Sequence, residues 1–157
     1  MKEVTIYTDG ACSGNPGKGG FGVILNYMGN KKEISKGFKC TTNNRMELMA
    51  ALEGLKALTE PCKVVLYSDS KYLVDSVNKG WLLSWQKNSW KNSKKEKVKN
   101  AELFKELIKL MDTHDVEFRW VKGHDGHEEN ERCDFLATSA AKGDNLKTDD
   151  GYIQSLE

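Results

Sequence analysis

The sequence predicts an α/β fold, a mixed sheet with helices on both of its faces. Three observations lead there. Apolar residues alternate with a period of two in three stretches before residue 42, joined by short turns, which makes an antiparallel meander. Directly after it the apolar period lengthens to that of a helix. From Lys63 onward, short apolar runs alternate with helical stretches, as when further strands are added through helical connections.

Each element has its own signal. Val4, Ile6 and Thr8 share one face of the first strand, and Thr5, Tyr7 and Asp9 the other. After Asp9 the Gly/Ser/Asn/Pro-rich stretch through Gly17 is expected to turn out of the sheet. Phe21–Tyr27 reads as the second strand, Met28–Lys31 as a hairpin turn and Glu33–Thr41 as the third strand. In Asn44–Leu58, Leu48, Ala51, Leu52 and Leu55 form a helical stripe, with Thr42 or Asn43 as N-cap and Pro61 beyond the end. Lys63–Ser68 is a buried strand that ends at Asp69. A helix over 71–78 stops before Gly80, another spans about 101–112, and Val116–Val121 is the fifth and last strand. A Gly/His loop leads to a final helix over about 130–141. The domain is expected over 1–142, with 143–157 a polar, loosely ordered tail.

The 157 residues suit one domain with a full core. No apolar run reaches the roughly 18 residues of a membrane span, and the first strand begins too early for a signal peptide. A cytoplasmic protein is expected. Cys12, Cys40, Cys62 and Cys133 lack metal-site or framework spacing and read as free thiols. The net charge of +1 conceals an asymmetry. Residues 71–100 hold eight lysines against Asp75 and Glu96, whereas the remainder has 16 basic and 21 acidic residues. A basic segment on an acidic body suggests a polyanionic partner approaching a negatively charged site.

Four acids lie where that site would form. Asp9 leaves the first strand and Asp69 the fourth. Glu47 is in the first turn of its helix, above the small residues Ala51 and Gly54, and Asp134 is early in the last helix. Sites in α/β sheets form at carboxyl ends of strands and the helix ends beside them. Such an oxygen-only cluster needs counter-charge and suits Mg²⁺ or Mn²⁺ better than zinc. Two ions roughly 4 Å apart can hold the attacking water and leaving oxygen of a phosphodiester.

Four motifs carry a resemblance: Tyr7-Thr8-Asp9-Gly10-Ala11-Cys12-Ser13-Gly14-Asn15-Pro16-Gly17, Thr42-Asn43-Asn44-Arg45-Met46-Glu47-Leu48, Ser68-Asp69-Ser70, and Val121-Lys122-Gly123-His124 followed by Gly126, Asn130, Glu131 and Asp134. Together and in this order they resemble the bacterial ribonuclease H type 1 family. The similarity runs from the first strand to about Ala141. It implies a ribonuclease H-like fold and a metal-dependent endonuclease that cuts the RNA strand of RNA–DNA hybrids, leaving 5′-phosphate and 3′-hydroxyl ends. By that resemblance Asp9, Glu47, Asp69 and Asp134 are catalytic and bind metal. Mg²⁺ is the expected cofactor, two ions with substrate bound, and Mn²⁺ a substitute. His124, on a Gly-flanked loop, matches the family's catalytic histidine; Asp125 beside it is an unusual neighbour.

Substrate contacts follow in the same way. Gly10, Cys12, Asn15, Asn43, Asn44 and Ser70 lie beside the acids, where amides and backbone groups can read 2′-hydroxyls. Thr42 and Asn100 match a pocket for a DNA-strand phosphate. Residues 80–99 match a basic protrusion that grips the DNA strand. Trp81, Trp85, Trp90, Lys87, Lys94 and Lys95 are its candidate contacts. The chain is expected to act as a monomer on an RNA–DNA hybrid, away from membranes. Two alternatives are another nuclease or strand-transfer enzyme on a similar sheet, and a hybrid-binding module without catalysis. The second predicts a missing acid, and all four are present.

Overall fold

The computed structural model describes residues 1–123 and 127–157. The meander consists of β1 (Lys2–Ser13), β2 (Gly17–Tyr27) and β3 (Asn30–Thr41). Its second turn is tight because both linking residues, Met28 (φ 52°) and Gly29 (φ 87°), are left-handed, as a two-residue hairpin with properly twisted strands requires. Then come α1 (Asn43–Lys56), β4 (Cys62–Ser68), α2 (Lys71–Asn78), α3 (Trp81–Lys87), α4 (Ala101–Thr113), β5 (Asp115–Trp120) and α5 (Glu128–Lys142). β6 (Leu146–Lys147) and α6 (Asp150–Ser155) complete the chain. Gly80, at φ 77°, separates α2 from α3.

The sheet order is β5-β4-β1-β2-β3-β6. β2 is antiparallel to both β1 and β3, whereas β4 runs parallel to β1 and β5 to β4. Among the described residues six strands are present where five were expected. The extra one, β6, pairs Leu146 and Lys147 with Gly37 and Phe38. Two residues cannot display a period in sequence, so only pairing to β3 reveals this strand. The segment 143–157 is correspondingly not loose: β6 extends the sheet, and Asp149, at the start of α6, is buried.

The helices lie on both faces. α1 covers the face carrying Ile6 and Val23 and packs on α4. A Cβ at Gly54 would sit 2.9 Å from Ile6 Cγ2, so the small residue permits a close approach of α1 to the sheet. α5 covers the opposite face over Gly20, Gly22 and Gly37. Added Cβ atoms there would meet the α5 backbone oxygens of Ala137, Cys133 and Ala140 at 2.4, 2.4 and 2.1 Å. The core between sheet and α1/α4 includes Ile6, Leu48, Leu55, Leu66, Phe104 and Leu107.

One strand differs in a way that creates the site. β1 does not leave the sheet after Asp9; it stays paired with β2 from Asp9↔Gly22 to Ser13↔Lys18. Its parallel pairing with β4 stops at Tyr7↔Tyr67. β1 therefore outruns β4, and beyond residue 7 one edge of it is open to groups from both faces of the sheet.

Candidate active site

Asp9 lies in that open stretch. Glu47 comes from α1 on one face, Asp134 from α5 on the other, and Asp69 directly follows β4. Carboxylate oxygens of Asp9, Glu47 and Asp69 all lie within 4.8 Å of one another. Asp134 lines the same cavity of about 510 Å³, with Gly10, Cys12, Asn43, Asn44 and Ser70. A larger hollow, about 1390 Å³, lies at the other end of the sheet, where Glu3, Glu60, Asp115 and Glu117 share the wall with Lys2, Lys63 and Arg119. Among the described residues only the Asp9–Glu47–Asp69 group offers three potential metal ligands together.

Local bonds hold the acids in place but do not neutralise them. The Gly10 N–H donates to Asp9 Oδ1 (2.9 Å) and to Glu47 Oε1. Gly10 must be glycine, because a Cβ would lie 2.7 Å from the Glu47 nitrogen. Ser68 Oγ is 3.4 Å from Glu47 Oε2 and accepts from the Ser70 N–H at 3.0 Å. Ser70 in turn caps α2 by accepting from the Leu73 N–H. The Trp120 indole N–H donates to the Asp69 carbonyl at 3.0 Å, tying β5 to the end of β4. Burial, then the neighbouring Asp69 charge, pushes the Asp9 carboxyl up to about 8. Glu47 is raised well above its ordinary value by burial and by Asp9 and Asp69. No cation bonds to the group among the described residues. Such a cluster is poised for an external positive charge.

Of the sequence-assigned residues, Asn15 accepts from the Asn43 N–H at 3.1 Å through Oδ1, fixing the first loop to the start of α1. Cys12 Sγ lies 3.4 Å from the Thr41 carbonyl. Thr42 is the α1 N-cap, its Oγ1 accepting from the Arg45 N–H at 3.3 Å. Asn100, in the left-handed region at φ 61°, accepts from Arg45 Nη1 and donates to the Tyr72 hydroxyl. Arg45 thereby holds Thr42 and Asn100 to a common anchor. His124 lies outside the described residues, as does Asp125; Gly123 before them abuts Asp69, with an added Cβ 3.0 Å from Asp69 Oδ2.

The basic segment divides its tryptophans. Trp85 stacks edge-on against Phe104 (centroids 5.1 Å apart), and Trp90 is half-buried with Lys105 Nζ over its ring at 5.4 Å. Both anchor the segment to α4. Trp81, one turn from Trp85, has its ring 6.4 Å away and stays 39% exposed. Lys87, Lys94 and Lys95 are exposed. Sequence reasoning passed over Lys71 and Tyr72, which also line the cavity, and Trp120, over which Lys71 Nζ sits at 4.7 Å. Their signal was position: two residues directly follow Ser70, and the third ends the strand beside Asp69. His114 is structural, its buried Nδ1 accepting from the Cys62 N–H.

This geometry has relatives. The family model for RNase H matches residues 1–142. The chain belongs to the ribonuclease H family. A ribonuclease H of Lachnoclostridium phytofermentans is 58% identical over 158 residues, covering 97% of this chain and 99% of its own. Among solved structures, LC9-RNase H1, a type 1 RNase H with the type 2 active-site motif, superposes with a TM-score of 0.82 at 31% identity, covering 100% of this chain and 82% of its own. LC11-RNase H1 in complex with an RNA/DNA hybrid has a TM-score of 0.65 at 26% identity, covering 88% and 96%. The ribonuclease H family is metal-dependent, and Asp9, Glu47 and Asp69 form a cluster that could hold a metal ion; no helix among the described residues is long and apolar enough to cross a membrane.

Proposed function

We propose that the chain is a cytoplasmic, monomeric endoribonuclease that hydrolyses the RNA strand of RNA–DNA hybrids, with Asp9, Glu47, Asp69 and Asp134 as its metal-binding and catalytic carboxylates. The observation that carries this reading is the meeting of Asp9, Glu47 and Asp69 within 4.8 Å at an open strand edge, in a chain of the ribonuclease H family. The donor set fits Mg²⁺, being all oxygen, negatively charged and, among the described residues, without a protein cation bonded to it. When bound, two such ions supply charge stabilisation and an activated water. In hydrolysis the water oxygen joins phosphorus and the bond to the 3′ oxygen breaks, so one product carries a 5′-phosphate and the other a 3′-hydroxyl.

The protein's own groups orient and grip. Asp9 and Glu47, fixed by Gly10, keep their carboxylates converged, and Asp69 is steadied through Trp120. His124, four residues beyond Trp120 at the end of β5, handles a proton of the water or leaving group. Gly10, Cys12, Asn15, Asn43, Asn44 and Ser70 face the hybrid beside the cut, where they distinguish a strand with 2′-hydroxyls from one without. Thr42 and Asn100 receive a DNA-strand phosphate. Trp81, Lys87, Lys94 and Lys95 grip the backbone further along, with Trp85 and Trp90 holding the protrusion's shape.

The decisive test is an end-labelled RNA–DNA hybrid with Mg²⁺, run beside RNA–RNA and DNA–DNA duplexes. Internal RNA cuts in the hybrid alone, abolished by EDTA and by Asp69→Asn, are expected. Tight, salt-sensitive binding without cutting would overturn the catalytic reading.

A further inference from the structure

A second buried polar centre lies on α1, and the carboxylate chemistry does not use it. Arg45 is 2% exposed. Its Nε and Nη2 donate to Asp149 Oδ2 and Oδ1 at 2.8 and 3.0 Å. Nη1 and Nη2 donate to Glu102 Oε1 and Oε2 at 3.0 and 2.7 Å, and Nη1 also to Asn100 Oδ1 at 3.1 Å. Asp149, also 2% exposed, accepts from Thr41 Oγ1 at 2.7 Å and caps α6 by accepting from the Tyr152 N–H. Gly151 closes the contact: a Cβ there would lie 2.2 Å from Glu102 Oε2 and 2.5 Å from Arg45 Nη2.

Placement gives this centre its meaning. Arg45 sits between Asn44 and Glu47, at the end of α1 that faces the carboxylate cavity. Asn100 and Glu102 lie where the basic segment re-enters the body, and α4 carries the tryptophan anchors of that segment. Asp149 comes from beyond residue 142, outside the part of the chain that the family model matches. The guanidinium therefore bolts the hybrid-reading end of α1 to the root of the protrusion, and the C-terminal segment locks the bolt. Stability alone does not call for such an arrangement, since well-packed apolar side chains often replace a buried ion pair without loss. A planar fork with bidentate bonds to two carboxylates does fix mutual orientation.

We propose that Arg45, Glu102 and Asp149 are positioning residues, the C-terminal segment forming a clasp that sets the basic protrusion relative to the carboxylates so that one hybrid is held at both. This rests on the hybrid-cleaving function above.

The test is a double-mutant cycle on Mg²⁺-dependent hybrid cleavage, pairing Asp149→Asn with the protrusion variant Lys94→Ala/Lys95→Ala. Asp149→Asn is expected to raise KM about tenfold, roughly the worth of one charge-assisted hydrogen bond, with kcat held within about twofold. The protrusion variant also raises KM, and adding Asp149→Asn to it produces little further rise, because the displaced grip is already gone. Additive effects, a fall in kcat matching the rise in KM, or an unchanged KM in either variant would overturn the clasp. A wild-type chain that leaves hybrids intact would instead remove the function on which it rests. Glu102 has a half-exposed side chain, so Glu102→Gln carries the same cycle if Asp149→Asn fails to fold.

Discussion

Two buried charge clusters grow from one helix, on residues only two apart. Glu47 joins Asp9 and Asp69, all of one sign and without a protein cation among the described residues. Arg45 joins Asp149 and Glu102, with its donors matched to acceptors. Two residues correspond to about 200° of helical rotation, so the side chains leave α1 in nearly opposite directions. One cluster withholds internal compensation and thereby creates a place for metal. The other is satisfied and holds elements together. Burial of charge thus means opposite things in the two places, and the sign of the neighbours decides which.

The largest contrast should appear in activity. Glu47→Gln keeps the shape but removes a converged negative charge, and hybrid cleavage should fall about 10³-fold in kcat, measured with Mg²⁺ at saturating substrate. Arg45→Met should instead act first on folding. It leaves Asp149 buried without its partner, at a cost of about 3–5 kcal/mol in a urea titration. A loss under 1 kcal/mol would show that Asp149 finds other compensation.

Metal-free stability sharpens the comparison further. The Asp9 pKa is raised in the fold to about 8, so its favourable contribution is complete below the ordinary carboxylate value and is lost as pH rises toward 8. Asp9→Asn removes that loss, and the metal-free variant should gain up to about 4 kcal/mol over wild type at pH 7 while becoming inactive. At pH 4 the two stabilities should converge.

Asp149 has the reverse sign and the smallest effect. Burial alone would raise its pKa, but the hydrogen bonds from Arg45 and Thr41 and the Arg45 charge bring it below the ordinary value. Its contribution is present above the unfolded-state pKa and is lost as pH falls through the lower folded one. Asp149→Asn should therefore flatten the acid limb of a stability profile, with the difference in slope from wild type confined to pH values below the ordinary carboxylate range. An unchanged limb would assign acid unfolding to other carboxylates.

Much of the fold and site was legible because its signals are local. Alternation marked the meander, the 3.6-residue stripe marked α1, and short motifs carried Asp9, Glu47, Asp69 and Asp134. The clasp was not, although its signal was faintly present: Arg45 stands three residues before Leu48 on the buried face of α1, an odd place for a charge. Its partner lies 104 residues away, in a stretch whose composition reads as solvated tail. The tryptophans show the same boundary. Spacing placed Trp81 and Trp85 on one face, but only packing against Phe104 turned Trp85 inward and left Trp81 outside.

By itself, then, the sequence determined the types and order of β1 through α2 and of α4, β5 and α5, the acids and the basic segment, since each depends on neighbours a few residues apart. Tertiary structure decided how far β1 outruns β4, which makes the edge where acids from both faces meet. It also decided where a buried guanidinium finds its carboxylates. Both depend on the relative ends of distant segments, a quantity that no local pattern encodes.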